Sequence, residues 1–311
     1  YFQHLAFVQE KQLLKLVSGV LHLLFRITVI AQLLGLLFGG QAAAEIKVVT
    51  TIKPLHSIVS NIMQGVGKPA LLMRSAVSPH DYKLKPSDLR ALHQAKIIFW
   101  VGPALENRLA KAIQQRRPAA KLVTLLNSKD LKIDKNSRRG STDPHIWLSL
   151  QNARAIAAIV QRGLSAEDPN NAALYLRNFK IFDQSLKQLR SEISSGLSIV
   201  LKAPFIVHHN GLLHFEKEFG LNNRGAILIS PEHRPGAKRI SAIRQLIKNE
   251  KIVCVFGEPQ YNQKLLQTIT AHSAAKIGVL DLIGVNLSPG PDLYISLMRN
   301  LMKSFTSCLR D

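Results

Sequence analysis

The sequence lacks the short motifs that mark the common metal-dependent, serine-dependent and nucleotide-using enzymes. It has no His-Glu-x-x-His, no Gly-x-Ser-x-Gly and no P-loop. A catalytic zinc also needs an open coordination position and a nearby general base; Glu258 could serve as that base, so a zinc-dependent hydrolase is a further alternative, which a filled four-ligand shell would block. Aromatic residues are scarce, at 6%. Acidic residues are few, 20 against 41 lysines and arginines, so the net charge is +21. The cations are spread along the chain rather than clustered, and no stacking motif accompanies them. The charge therefore reads as surface character and not as a nucleic-acid footprint. No residue-level repeat relates the two halves of the chain.

What is present suffices for a packed core. Hydrophobic residues make up 46% of the 311, which argues against global disorder and allows two domains of ordinary size. The chain does not open on Met, and a secretory signal is expected inside its first 44 residues. Lys11, Lys15 and Arg26 precede a short apolar run, Ile27–Phe38, and small residues follow at 39–44. Cleavage is expected after Ala44, which places the mature protein in the periplasm. The competing reading, an uncleaved anchor, is weakened by His22 and Arg26, which interrupt the apolar stretch. No cysteine stands at the cut, so no lipid anchor is indicated. With Glu10, the three cations give the leader a charge of +2, leaving +19 on residues 45–311. Only two cysteines occur, Cys254 and Cys308. In an exported chain they form a disulfide or remain two buried thiols.

After the leader, β-rich runs alternate with helical patterns. Strands are expected at Ile46–Thr51, Ala70–Met73, Lys96–Val101 and Lys121–Leu125, with helices at Pro54–Gln64, Pro86–Gln94 and Ala104–Gln115. A second series has strands at Phe205–His208, Ala226–Ile229, Ile252–Phe256 and Lys276–Leu280. Its helices are expected at Leu212–Phe219, Pro235–Lys248, Asn262–Ala271 and Pro291–Phe305. Such alternation predicts an α/β fold of two Rossmann-like lobes with mainly parallel sheets. Between them, Asp168-Pro169 reads as a helix start. Tyr175, Phe179, Phe182, Leu186, Leu189, Ile193 and Leu197 then recur at spacings of three or four. That stripe predicts one long, rigid joining helix. The expected divisions are a leader at 1–44, a lobe at 45–167, the helix at 168–200 and a lobe at 201–311.

Ligands in open α/β sheets bind beyond the carboxyl ends of strands. Of the eleven histidines, His80 follows the second strand and His209 directly follows the strand at 205–208. His145 lies in Asp143-Pro144-His145-Ile146-Trp147-Leu148, before a helix at Leu150–Gly163. Asp281 directly follows the strand at 276–280. Three imidazoles and a carboxylate converging between the lobes suit tetrahedral Zn²⁺ and argue against the oxygen-loving Mg²⁺ and Ca²⁺. His208 is expected to point away from that centre. His56, His93, His214 and His233 read as surface or supporting residues, and Glu258 as a supporting carboxylate.

Several segments carry a resemblance. Ser78-Pro79-His80-Asp81-Tyr82, Trp100-Val101-Gly102-Pro103, Asp143-Pro144-His145-Ile146-Trp147-Leu148, Pro231-Glu232-His233-Arg234-Pro235-Gly236 and Phe256-Gly257-Glu258-Pro259-Gln260 are similar, in order, to those of the zinc-binding proteins of bacterial ABC importers, the ZnuA type. The resemblance runs from about residue 46 to 311. It implies a monomeric metal-capture protein and not an enzyme, with Zn²⁺ as cargo and a membrane permease as partner. Carried over by position, His80, His145 and His209 match the family's three histidine ligands, and Asp281 its carboxylate. The manganese-binding branch resembles this one but has Glu in place of the third histidine, so His209 favours zinc, and a manganese or mixed-metal protein of the same fold is the alternative reading. Cys254 and Cys308 match a cysteine pair that many zinc members bridge. One departure stands out. The loop at Asn127–Thr142 holds no histidine, where many zinc members carry a His-rich one.

Overall fold

A computed structural model describes residues 21–22, 24–26, 45–116, 118–134, 142–228 and 235–310. The apolar leader run, the cleavage site, His233 and the middle of the histidine-free loop lie outside the described residues. No described helix is long and apolar enough to cross a membrane.

Residues 46–311 form one unit built on two four-stranded sheets, in which every pairing is parallel. The first comprises β1 (Val48–Thr50), β2 (Ala70–Leu71), β3 (Ile97–Trp100) and β4 (Lys121–Thr124) in the order β2-β1-β3-β4. Its crossovers are α1 (Lys53–Ile62), α2 (Pro86–Gln94) and α3 (Asn107–Gln114). The second comprises β5 (Phe205–Val207), β6 (Asn223–Ala226), β7 (Cys254–Gly257) and β8 (Lys276–Val279) in the order β6-β5-β7-β8. The two sheets thus share one topology without sharing sequence. In each, the chain reverses its direction of winding beside the first strand, which opens a crevice at the strands' carboxyl ends.

Local chemistry explains most boundaries. α1 and α2 start with proline in the first turn, where the missing N–H costs nothing. Asp88 of α2 accepts the Lys85 N–H at 2.8 Å and the Tyr82 hydroxyl at 2.9 Å. The helix expected from Ala104 starts only at Asn107, because the buried Glu106 carboxylate turns back to accept the Gly102 N–H at 2.9 Å. β6 lies earlier than its apolar run suggested. Asn223 pairs with Phe205, and the ladder continues past the strand through the Ile227 and Leu228 N–H groups.

α4 (Leu150–Glu167), with Ser149 as N-cap, leads into α5 (Ala172–Leu197), the expected long helix. At 1.5 Å per residue its 26 residues span about 39 Å. Its buried stripe follows the expected apolar positions with one exception. Asn178 is buried where Phe179 was expected, and its amide donates to the carbonyls of Ile62 and Gln64 at 2.9 and 2.8 Å. Those are orphan carbonyls at the end of α1, so a polar residue in the stripe caps a neighbouring helix.

The remaining helices are α6 (Leu213–Phe219), α7 (Ala237–Asn249), α8 (Lys264–Thr270) and α9 (Leu293–Leu309). One continuous apolar core runs from β1 through α5 to α9, with a smaller cluster behind the second sheet. Cys254 opens β7 and forms a disulfide with Cys308 of α9 across a Cα–Cα distance of 6.0 Å.

The segment after β8 is tied to the first sheet's helices. The Lys53 ammonium donates to the carbonyls of Gly284, Val285 and Leu287 at 2.9, 2.8 and 3.1 Å. Ser57 donates to the Pro291 carbonyl at 2.7 Å and accepts the Tyr294 N–H at 2.9 Å. Trp147 donates its indole N–H to the Leu282 carbonyl at 2.8 Å.

Candidate metal centre

Three remote segments meet where the second sheet's crevice faces the first. β5 ends at Val207, and His209 follows two residues later. His145 precedes a short 3₁₀ turn at Ile146–Leu148, whose side chains are all buried. His80 stands in the loop between β2 and α2. One nitrogen from each of His80, His145 and His209 lies within 4.8 Å of the other two.

The Nε2 atoms of His145 and His209 are 3.2 Å apart. Their Nδ1 atoms turn the other way, to Asp143 Oδ1 at 2.7 Å and to Glu258 Oε1. An ionised carboxylate only accepts, so each Nδ1 carries the ring proton and each Nε2 presents a lone pair. Two lone pairs aimed at one another in a buried place repel unless a cation or proton lies between them. In a tetrahedral shell with Zn–N near 2.05 Å, neighbouring nitrogens are about 3.3 Å apart. The His145–His209 pair already has that spacing. His80 completes the triangle more loosely, and among the described residues its buried Nε2 has no hydrogen-bond partner.

Charge and burial agree with this arrangement. Burial holds the His80 imidazole down to about 3, with His145 and His209 pushing the same way. It is therefore a neutral donor at physiological pH. Burial raises the Asp143 carboxyl, but the electrostatic pull of the adjacent His145 ring and its N–H bonds more than offset this and leave Asp143 below the ordinary range. An anion behind a ligating imidazole raises the ring's basicity and fixes its tautomer.

Space is reserved by Gly211. A Cβ there would lie 2.5 Å from His209 Nε2 and 3.1 Å from His145 Cε1. Sequence reasoning missed this glycine. The one available signal was its position two residues after a strand-end histidine. Asp143 was quoted in a motif but not assigned a role, whereas Glu258 was expected as a supporting carboxylate and bonds the His209 ring.

Asp281 lies outside the three-histidine group. It is half-buried, and its Oδ1 accepts the N–H groups of Ile283 and Gly284 at 3.2 and 2.8 Å. His208 stacks on Tyr261 with ring centroids 4.3 Å apart, and so points away from the trio as expected. His56 is buried beside the Pro69 carbonyl, and His93 is exposed on α2. His214 of α6 contacts the Asp143 carbonyl at 3.1 Å and Asp134 at 3.4 Å. With Lys217, also on Asp134, it secures the base of the loop that carries Asp143.

Comparison with known proteins points the same way. Residues 48–308 match the family model described as ZnuA, the periplasmic component A of a zinc-uptake complex. A Brucella abortus protein named high-affinity zinc uptake system protein ZnuA is 38% identical over 314 residues, covering 87% of this chain and 94% of its own. A crystal structure of ZnuA superposes with a TM-score of 0.74 at 22% identity, covering 85% of this chain and 99% of its own. A manganese-bound periplasmic metal-binding protein from Candidatus Liberibacter asiaticus gives 0.74 at 20% identity, with the same coverage. At those identities the two structural likenesses bear on the fold.

Proposed function

The chain belongs to the ZnuA family, the periplasmic component of zinc-uptake complexes, and on that premise we propose that it captures Zn²⁺ as cargo between its two sheets and delivers it to the membrane permease of an ABC importer. His80, His145 and His209 donate through Nε2, and Asp281 supplies the fourth, carboxylate position once the shell contracts around the ion. Asp143 and Glu258 stand behind two of the rings. The working protein is a periplasmic monomer without enzymatic activity. Its lobes divide at 167/168 and 200/201, with the long helix between.

The observation that carries this reading is the 3.2 Å approach of two Nε2 lone pairs, each set by a carboxylate on the far side of its ring. Three imidazoles and one carboxylate favour Zn²⁺ over Mn²⁺, which prefers oxygen donors. A four-donor shell leaves no open position for an activated water, and this separates capture from hydrolysis.

Native mass spectrometry with competing Zn²⁺, Mn²⁺ and Cd²⁺ tests the proposal. One tightly held Zn²⁺ is expected. His80→Ala, His145→Ala and His209→Ala are each expected to weaken it by roughly a hundredfold or more. Undiminished affinity in any of the three removes that residue from the shell. Preference for Mn²⁺ overturns the zinc assignment.

A further inference from the structure

The second sheet has another hollow at its opposite end. The metal centre lies beyond the carboxyl ends of β5 and β7. At the amino ends of β7 and β8, a cavity of about 800 Å³ opens between the last turns of α7 and α8. No residue lining it belongs to the metal centre.

Its charge is of one sign. Arg244, Lys248, Lys251 and Lys276 line it together with His272, and among the described residues no aspartate or glutamate does. Among the described residues none of the four cations makes an ion pair. Arg244 and Lys276 are instead positioned by backbone carbonyls, those of Thr268 at 2.7 Å and Arg310 at 2.6 Å. The simplest account is that these side chains offset the negative ends of α7 and α8. Two helix ends amount to about one unit of negative charge together. Four full positive charges exceed that, so the hollow keeps a surplus that calls for an anion.

The backbone supports the same reading. Lys251 and His272 are, among the described residues, the two non-glycine residues with positive φ, at 48° and 63°. Each sits just past a helix end, where glycine is the usual and unstrained choice. Both helices end here with a basic side chain in place of glycine, and both side chains line the same cavity. The floor is different in kind. Val253, Ala271, Ala274 and Ala275 form it, backed by Ile247, Ile252 and Ile269, which are buried in the smaller apolar cluster behind the sheet.

A cationic rim over an apolar floor selects a ligand with two matching parts. We propose that this hollow binds an amphipathic phosphate-bearing anion. Its phosphate is held by Lys248, Lys251, Arg244 and Lys276, and its apolar body lies on Val253, Ala271, Ala274 and Ala275, over the buried Ile247, Ile252 and Ile269. Such a group is carried by a free aryl or alkyl phosphate or by a phospholipid headgroup.

The test uses the full, zinc-loaded chain. Phenyl phosphate is titrated and followed by ¹H–¹⁵N correlation spectra, with inorganic phosphate as the comparison. Saturable shifts confined to residues 248–253 and 271–276 are expected, with phenyl phosphate binding roughly tenfold tighter than inorganic phosphate. K248E/K251E, at two exposed positions, is expected to weaken binding at least roughly tenfold while zinc affinity stays unchanged. His272→Gly relieves the positive φ and serves as a folding control that removes one basic group. Sedimentation with phosphatidylglycerol vesicles, against phosphatidylcholine vesicles, then distinguishes the sources. Vesicle binding that phenyl phosphate displaces assigns the site to a headgroup, and phenyl phosphate binding without vesicle binding assigns it to a free ligand. Shifts scattered over other lysines, no saturation, or equal binding by a well-folded K248E/K251E would overturn the proposal. Equal affinity for inorganic and phenyl phosphate would overturn the amphipathic class.

Discussion

Asp143 Oδ1 accepts both the ring Nδ1–H of His145, at 2.7 Å, and the backbone N–H of the same residue, at 3.0 Å. One carboxylate therefore fixes the orientation of a donor imidazole and of the peptide that carries it. Glu258 does the first of these for His209 from a different element, the end of β7.

Removing either charge while keeping the shape isolates that effect. Asp143→Asn and Glu258→Gln are each expected to weaken Zn²⁺ binding by about 10- to 100-fold without unfolding the protein. Competition with a chelating dye, alongside circular dichroism, measures both. Affinities within twofold of the parent would mean that the carboxylates are bystanders.

Gly211 is there for room and not for conformation. Gly211→Ala places a methyl 2.5 Å from His209 Nε2, so the ring must leave its position. The expected result is a folded protein whose zinc affinity has fallen at least roughly tenfold. Calorimetric titration reads it directly, and parental affinity would show that the ring has slack.

Glu106 gives the fold a pH dependence unrelated to the metal. It is fully buried, and burial pushes its carboxyl up to about 7, although the Gly102 N–H partly opposes this. The folded chain therefore holds a proton that the unfolded chain has already released. The stability this group contributes is complete below about pH 4.5 and lost as pH rises through 7. Glu106→Gln should leave stability at pH 5 nearly unchanged and raise it at pH 8 by up to about 3 kcal/mol. Urea unfolding of the metal-free protein at the two pH values checks the sign.

The disulfide between β7 and α9 closes a separation of 54 residues. On the chain-entropy estimate it contributes about 4 kcal/mol. Cys254→Ser with Cys308→Ser is expected to lower the unfolding free energy on that order. Mass measurement before and after reduction of the parent should differ by two hydrogens.

The chain's periodicity reveals its architecture because strand–helix alternation and the stripe of α5 are local patterns. Three imidazoles could be chosen because strand ends are recognisable and the surrounding segments resemble a family. What escaped the sequence depends on contacts between remote segments. Asn178 looks misplaced in an apolar stripe until the open carbonyls of α1 are beside it. β6 starts in Asn223-Arg224-Gly225 because the Phe205 ladder requires it, and no apolar run announces that. The partner of Asp143 could be guessed from two residues away, but Gly211 acquires its importance only when His145 and His209 crowd it. Asp281 follows its strand as expected, yet in this structure its Oδ1 is occupied by the turn that begins there.

Lys53 has a consequence for how a cargo ion leaves. Bonded to three carbonyls of the segment after β8, its ammonium ties that segment to the first turn of α1. An ion held as proposed would then leave past its least-braced donor. That donor is His80, which, among the described residues, has no carboxylate bonded to its ring.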